Sequence, residues 1–217
     1  MPRVTFVKAA RKDNPVCKKG ESYYWWKFRY GGKRYSLTRP RPSQLTQSAY
    51  FGSLRALVEQ IEDTNIADND DFETLRDEVA SELQTIGSEA QESLDNMPES
   101  LQYSPTGELL QERVDACENA SSEVESVEEF DEEEPDSDDY DSECPDCNGS
   151  GENPDYDEDD EDDDAEEKDC ATCCGTGEGV MDGEEFDAAV SEWRDKRDEW
   201  ADNAKQELMD FVSEAEV

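Results

Sequence analysis

Carboxylates constrain this chain more than anything else in it. Asp and Glu fill 61 of its 217 positions against 20 Lys and Arg, a formal net charge of -41. Like charges at that density oppose a compact state. Only 33% of the residues are hydrophobic, so one large core is not expected. Helices that bury a narrow apolar stripe, a small sheet and solvated acidic runs suit this composition. The fold class expected is α+β. A small N-terminal three-stranded sheet plus a helix precedes a mainly helical, coiled-coil-like body that carries an acidic hairpin with paired cysteines.

The charge is segregated. Residues 1–45 hold 12 Lys or Arg and 2 Asp or Glu, a local balance of +10; the remainder holds 8 and 59, a balance of -51. A basic head on an acidic body implies two surfaces for two kinds of partner. Residues 1–15 lack the apolar run of a signal peptide, and no stretch of about 18 apolar residues occurs. A cytoplasmic chain without a membrane partner is therefore expected. In that setting the seven cysteines read as metal ligands and free thiols rather than as a disulfide framework. Histidine is absent, which removes Ser–His and Cys–His catalytic schemes. No phosphate-cradling glycine loop of the P-loop or dinucleotide type is present, and the expectation is a protein that is not an enzyme.

Residues 3–10 read as a short strand. Residues 22–30, SYYWWKFRY, are strongly β-forming, Gly31-Gly32 reads as a tight hairpin turn, and residues 33–38 complete the pair. Pro40 and Pro42 end the strand. Ser43 is the expected N-cap of a helix that runs to about Asp63. Three apolar stripes at helical spacing follow. The first runs from Phe72 through Leu83 to Met97, and the second from Leu110 through Cys117 and Val127 to about Phe130. The third joins Phe186, Trp193, Trp200, Leu208 and Phe211. They must pair with one another or across a homodimer. The organisation expected is a basic hairpin–helix module over 1–65, an acidic helical segment over 66–130, an acidic zinc-binding hairpin over 131–180 and an amphipathic helix over 181–217. The second and third stripes are expected to form two antiparallel helices with the zinc hairpin at their connection.

The hairpin carries the sharpest motif. Cys144-Pro-Asp-Cys147-Asn-Gly149-Ser-Gly151 and Cys170-Ala-Thr-Cys173-Cys-Gly175-Thr-Gly177 both read C-x-x-C-x-G-x-G. Two intervening residues place both sulfurs of a pair on one side of a turn. Two pairs complete a tetrahedral four-thiolate site with no open position, so one structural zinc on Cys144, Cys147, Cys170 and Cys173 is expected. The glycines let backbone N–H groups turn toward the thiolates and offset their charge. Cys174 reads as a spectator, Cys17 as a free thiol and Cys117 as a small core residue. Between the pairs, Asp155, Asp157 and Asp159 alternate as in a calcium loop, but Asp160 stands where that loop needs glycine. The spacer therefore reads as a solvated charge run. The repeat resembles that of the cysteine-rich domain of DnaJ-type chaperones over about residues 144–177. That family usually has four repeats and two zinc ions. The resemblance implies one zinc site here, and no J-domain activity, because the His-Pro-Asp tripeptide is absent.

In the basic head, alternation puts Tyr23, Trp25, Lys27 and Arg29 on one face of the second strand and Tyr24, Trp26, Phe28 and Tyr30 on the other. The second face is the expected core face, packed on the 43–63 helix. Lys18, Lys19, Tyr23, Trp25, Lys27, Arg29, Lys33 and Arg34 are the candidate nucleic-acid contacts, because cations neutralise phosphates while rings stack on bases. The layout YWWKFRYGGKRYS followed by a helix is similar to the arm-binding domains of phage-type integrases over about 40 residues, which implies DNA or RNA as the partner of residues 1–45. Docking of the head onto the chain's own acidic body is the alternative.

Three functions compete. Carboxylates on rigid helices can imitate the phosphates of a duplex, so the chain could inhibit or regulate a host nucleic-acid-binding protein as a DNA mimic. Small acidic anti-defence proteins of phages and other mobile elements look like this in composition. Alternatively, the basic head binds nucleic acid and the acidic helices recruit a protein. A DnaJ-like chaperone or adaptor is the third reading.

Overall fold

The computed structural model of the chain describes residues 1–140, 144, 146–148, 150, 152, 169–170, 173–174 and 183–217. Two compact units are present, one formed by residues 1–129 with 201–217 and the other by residues 130–200.

The first unit begins with an antiparallel sheet in the order β1 (Thr5–Val7), β2 (Tyr23–Lys27) and β3 (Lys33–Ser36). The hairpin is looser than a two-residue turn: β2 stops at Lys27, pairs Lys27 with Lys33, and leaves residues 28–32 as the loop. A primed two-residue turn needs positive φ at both central positions. Gly31 has φ 147°, but Gly32 is not in that region. The wider loop sets the register that places Tyr35 opposite Trp25 and Arg34 opposite Trp26. Trp26 and Phe28 are buried, whereas Tyr30, expected on the same inner face, is 75% exposed. It stands in the loop, beyond the end of the strand's alternation.

Ser43 does not cap the following helix. Pro42–Leu45 form a single 3-10 turn, and Ser43 instead donates its N–H and hydroxyl to the buried Glu59 carboxylate at 2.9 and 2.7 Å. The extended Thr46 interrupts the chain. Helix α1 (Ala49–Asp63) starts later, with the Ser48 hydroxyl accepting the Phe51 N–H.

The body of this unit is a hairpin of α2 (Asn69–Asp95) and α4 (Pro105–Glu125), joined through the single-turn α3 (Glu99–Gln102). Asp68 caps α2 by accepting the Asp71 N–H, and the Asp71 carboxylate accepts the Ala67 N–H in return. Ser104 and Pro105 start α4. Gly107 sits so close to α3 that a Cβ there would fall on the Gln102 carbonyl. Phe72, Leu75, Val79, Leu83, Ile86 and Ala90 of α2 are buried, as are Val114, Cys117, Ala120 and Val124 of α4. Ser121, also buried, donates to the Ala80 carbonyl and accepts from Gln84. These cross-contacts run in opposite directions along the two helices, so the first and second stripes pair with each other. The second helix ends at Glu125, short of the expected Phe130.

Helix α5 (Gly183–Glu214) carries the third stripe. Its last part belongs to the first unit, where Ala204, Leu208 and Val212 are buried. The chain end is clasped to α1. The Tyr50 hydroxyl donates to the Ala215 carbonyl at 2.6 Å, and Arg55 forks onto Glu216 at 2.8 and 3.0 Å. In the second unit, residues 130–140 run back along the start of α5. Phe130 packs on Trp193 and Trp200, Trp193 donates to the Glu132 carbonyl, Lys196 pairs with Glu132, and Tyr140 meets Phe186. No helix among the described residues is long and apolar enough to cross a membrane.

The Arg55 hydrogen bond holds the Glu216 carboxyl below its ordinary range, against some desolvation. A depressed folded pKa contributes stability that is present above the unfolded value of about 4 and lost as pH falls through the folded value. Hydrogen exchange should therefore show residues 213–217 losing protection under acid before the α2–α4 hairpin does. Glu216→Gln should remove that acid step and shift global stability by about 1 kcal/mol, as for a partly exposed, solvent-screened ion pair.

Candidate metal centre

The described residues of each cysteine pair mark a knuckle with one backbone feature in common. In each, the residue after the second cysteine is left-handed: Asn148 has φ 49° and Cys174 has φ 52°. Asn tolerates that conformation well, because its short amide can bond locally, whereas other side chains meet the carbonyl. In the first knuckle, the Ser150 N–H closes a turn on the Cys147 carbonyl at 3.1 Å. Glu152 and Asp169 then form an isolated antiparallel bridge between the two cysteine pairs.

This bridge brings the four sulfurs of Cys144, Cys147, Cys170 and Cys173 within 4.8 Å of one another. The Cys144–Cys170 and Cys147–Cys173 separations are 3.9 and 3.7 Å. A tetrahedron with zinc–sulfur bonds of about 2.3 Å has edges of about 3.8 Å. The geometry could bind one zinc ion. Cys144, Cys147 and Cys170 are buried and Cys173 partly so, which leaves little room for a substrate or water in a fifth position.

The strongest influence on the Cys144 thiol is the Cys147 backbone N–H, which favours the thiolate. Desolvation opposes it, the Asp146 N–H assists it, and hydrogen bonds with the Cys147 and Cys170 thiols favour the neutral form, pushing the thiol up to about 11. Zinc would displace that proton, so binding releases protons. The amides that serve Cys144 thus come from inside its own C-x-x-C turn. Gly149, Gly151, Gly175 and Gly177, to which the motif assigned this task, lie outside the described residues, as do Asp155, Asp157, Asp159 and Asp160 of the spacer. Cys174 is exposed beside the cluster, and Cys17 and Cys117 are buried elsewhere. Burial and then the bond with Tyr50 act on Cys117 in opposite senses, and burial prevails to raise its thiol.

The candidate nucleic-acid residues are distributed differently. Tyr23, Trp25, Lys27 and Lys33 share one face of the sheet, with Lys33 Nζ 4.3 Å from the Trp25 ring centroid. Arg34 lies on the other face opposite Trp26, its guanidinium over Phe28, and Arg29 covers Tyr30 in the loop. Lys18 and Lys19 belong to the 10–21 loop, where their backbone N–H groups donate to Glu21 and Asp13. Tyr35 was missing from that set. It reaches the Tyr23 face because of the register, with ring centroids 6.0 Å apart.

No family model matches the chain, and no curated protein or solved structure matches it.

Protein purified without chelator should contain about one zinc per chain by elemental analysis. Cys144→Ser should abolish it, and lower amide protection over Phe130–Tyr140 while β2 stays protected. Cys174→Asn should relieve the left-handed position and tighten zinc retention against a chelator by about 1 kcal/mol, within the cost of that conformation for an ordinary side chain.

Proposed function

We propose that this is a non-enzymatic, zinc-stapled acidic protein that binds the basic surface of a nucleic-acid-binding protein and thereby inhibits or regulates it. One observation carries this reading. Helices α2 and α4 expose carboxylates along their length, among them Glu73, Glu82, Glu89 and Glu92 on α2 and Glu112 and Glu118 on α4. Their two arginines are turned onto rings of their own unit, Arg76 over Phe72 and Arg113 over Tyr50. The outward charge is thus left largely uncompensated on a rigid helical hairpin. A cleft that attracts phosphates is attracted by such an array for the same Coulombic reason.

A second reading has its own observation. The sheet presents Tyr23, Trp25, Lys27, Lys33 and Tyr35 on a face where no ring is fully buried. This favours contact between the basic head and nucleic acid, with the acidic helices holding a protein partner.

Tagged full-length protein should recover a nuclease, polymerase or other DNA-binding protein from lysate, and duplex DNA should compete it off. A variant with Glu82, Glu89 and Glu92 changed to Gln should lose most of that recovery with its helicity unchanged. Recovery that DNA does not compete, or that survives the triple change, would remove the mimicry reading.

A further inference from the structure

The second reading leaves open which form of nucleic acid the basic head would take, and the sheet narrows it. β1 pairs Thr5 with Trp25 and Val7 with Tyr23, and β3 pairs Tyr35 with Trp25. Tyr23, Trp25 and Tyr35 therefore lie together on one sheet face, flanked by the exposed Lys27 and Lys33 and supported from behind by the buried Trp26 and Phe28. Rings on a pleated face offer their π surfaces. Those surfaces suit bases that have left a helical stack. A duplex keeps its base faces inside the stack and shows only edges in its grooves.

A second observation lies beside β3. A cavity of about 410 Å³ is lined by Trp26, Lys33, Arg34, Tyr35 and Gln44, together with Pro15 and Val16. No carboxylate lines it. Trp26 is 3% exposed, and its indole N–H has no acceptor among the described residues. The lining is rich in donors and carries two cations, which is the chemistry that accepts a phosphate. Lys33 belongs to both places, over the Trp25 ring and at the cavity wall.

We propose that this face and cavity form a binding site for single-stranded nucleic acid. Bases stack on Tyr23, Trp25 and Tyr35, and a backbone phosphate sits at Lys33 and Arg34. Lys33 leaves the Trp25 ring to meet the phosphate, which frees the ring for a base. The proposal rests on the nucleic-acid reading of the basic head and goes further by choosing the unpaired strand.

The test uses the full-length zinc-loaded protein, an oligothymidylate of about 15 nucleotides, within the usual range of single-strand sites, and the duplex of the same length, titrated at low salt. The single strand should bind more tightly than the duplex and quench tryptophan emission, and Trp25→Phe should remove most of the quenching. Tyr35→Ala should weaken binding roughly five- to a hundred-fold, the effect of losing one stacked base. Lys33→Gln should reduce the slope of log affinity against log salt by about 0.7. Circular dichroism and melting temperature establish that each variant is folded. Equal or tighter duplex binding without quenching would overturn the single-strand assignment while leaving the broader nucleic-acid reading in place. Binding of neither probe would overturn both.

Discussion

The first unit depends on the apolar seam between α2 and α4. Each fully buried Leu, Ile, Val or Phe contributes about 1.5–3 kcal/mol. The seam holds several, with Phe72, Val79, Leu83 and Val124 fully shielded from solvent. Acidic pairs one turn apart on the outer face of α2, such as Glu73 with Asp77 and Glu78 with Glu82, cost about 0.2–0.5 kcal/mol each. Salt damps their longer-range repulsion over about 8 Å. Burial therefore outweighs self-repulsion, provided the acids stay outside. The helix dipole gives little help: acids favour the start of α2, where Asp68, Asp70 and Asp71 gather, but no basic residue closes the last turn of α1, α2 or α4. Asp95 at the end of α2 even opposes its dipole.

The scarcity of cations outside the head makes the position of each one informative. Arg55 holds the chain end, Arg76 reaches Glu129 and the Val127 carbonyl while lying over Phe72, and Arg113 lies over Tyr50 and Phe51. All three fasten connections within the unit. None is spread over the carboxylate surface, so the negative field of the hairpin reaches solvent, while the sheet at the other end of the sequence keeps its lysines exposed. Opposite fields on one unit fit a protein with two kinds of partner better than one whose acidity serves only solubility.

How much of this was legible in the sequence depends on the range of each signal. The stripes of α2, α4 and α5 were legible because period 3.6 is local and strong, and the four cysteines because a repeated spacing carries geometry with it. The partner of each stripe was not. The second stripe was expected to run antiparallel to the third across the zinc hairpin; α4 packs on α2, its near neighbour through a short connection, and the buried end of α5 lies in the same unit. The segment that approaches the cysteines is instead an irregular strap, Phe130–Tyr140, lying on the start of α5. Nor did composition show that Ser43 would spend its hydroxyl on Glu59, sixteen residues away, and cede the cap to Ser48. The sheet register turned on a single angle: two adjacent glycines suggested a tight turn, but only Gly31 takes positive φ. That difference brought Tyr35 over to the Tyr23 face.

The second unit shows why a chain of this composition would use metal. Its described apolar contacts are a few half-buried rings, Phe130, Trp193 and Trp200 at one end and Tyr140 with Phe186 at the other. Such pairs contribute about 0.5–1.5 kcal/mol each beyond their area. Structural zinc in small peptides supplies about 10–16 kcal/mol that is also folding free energy. A zinc ion bound at the four cysteines would outweigh those described contacts. The acidic surroundings work in both directions, drawing a divalent cation in while disfavouring four further negative sulfurs. Backbone amides offset part of that cost at Cys144, since the N–H groups of Asp146 and Cys147 favour the thiolate without adding a mobile cation, although burial and the neighbouring thiols still raise the thiol. A zinc ion held by these four sulfurs would join Cys144 and Cys147 to Cys170 and Cys173 across the acidic spacer.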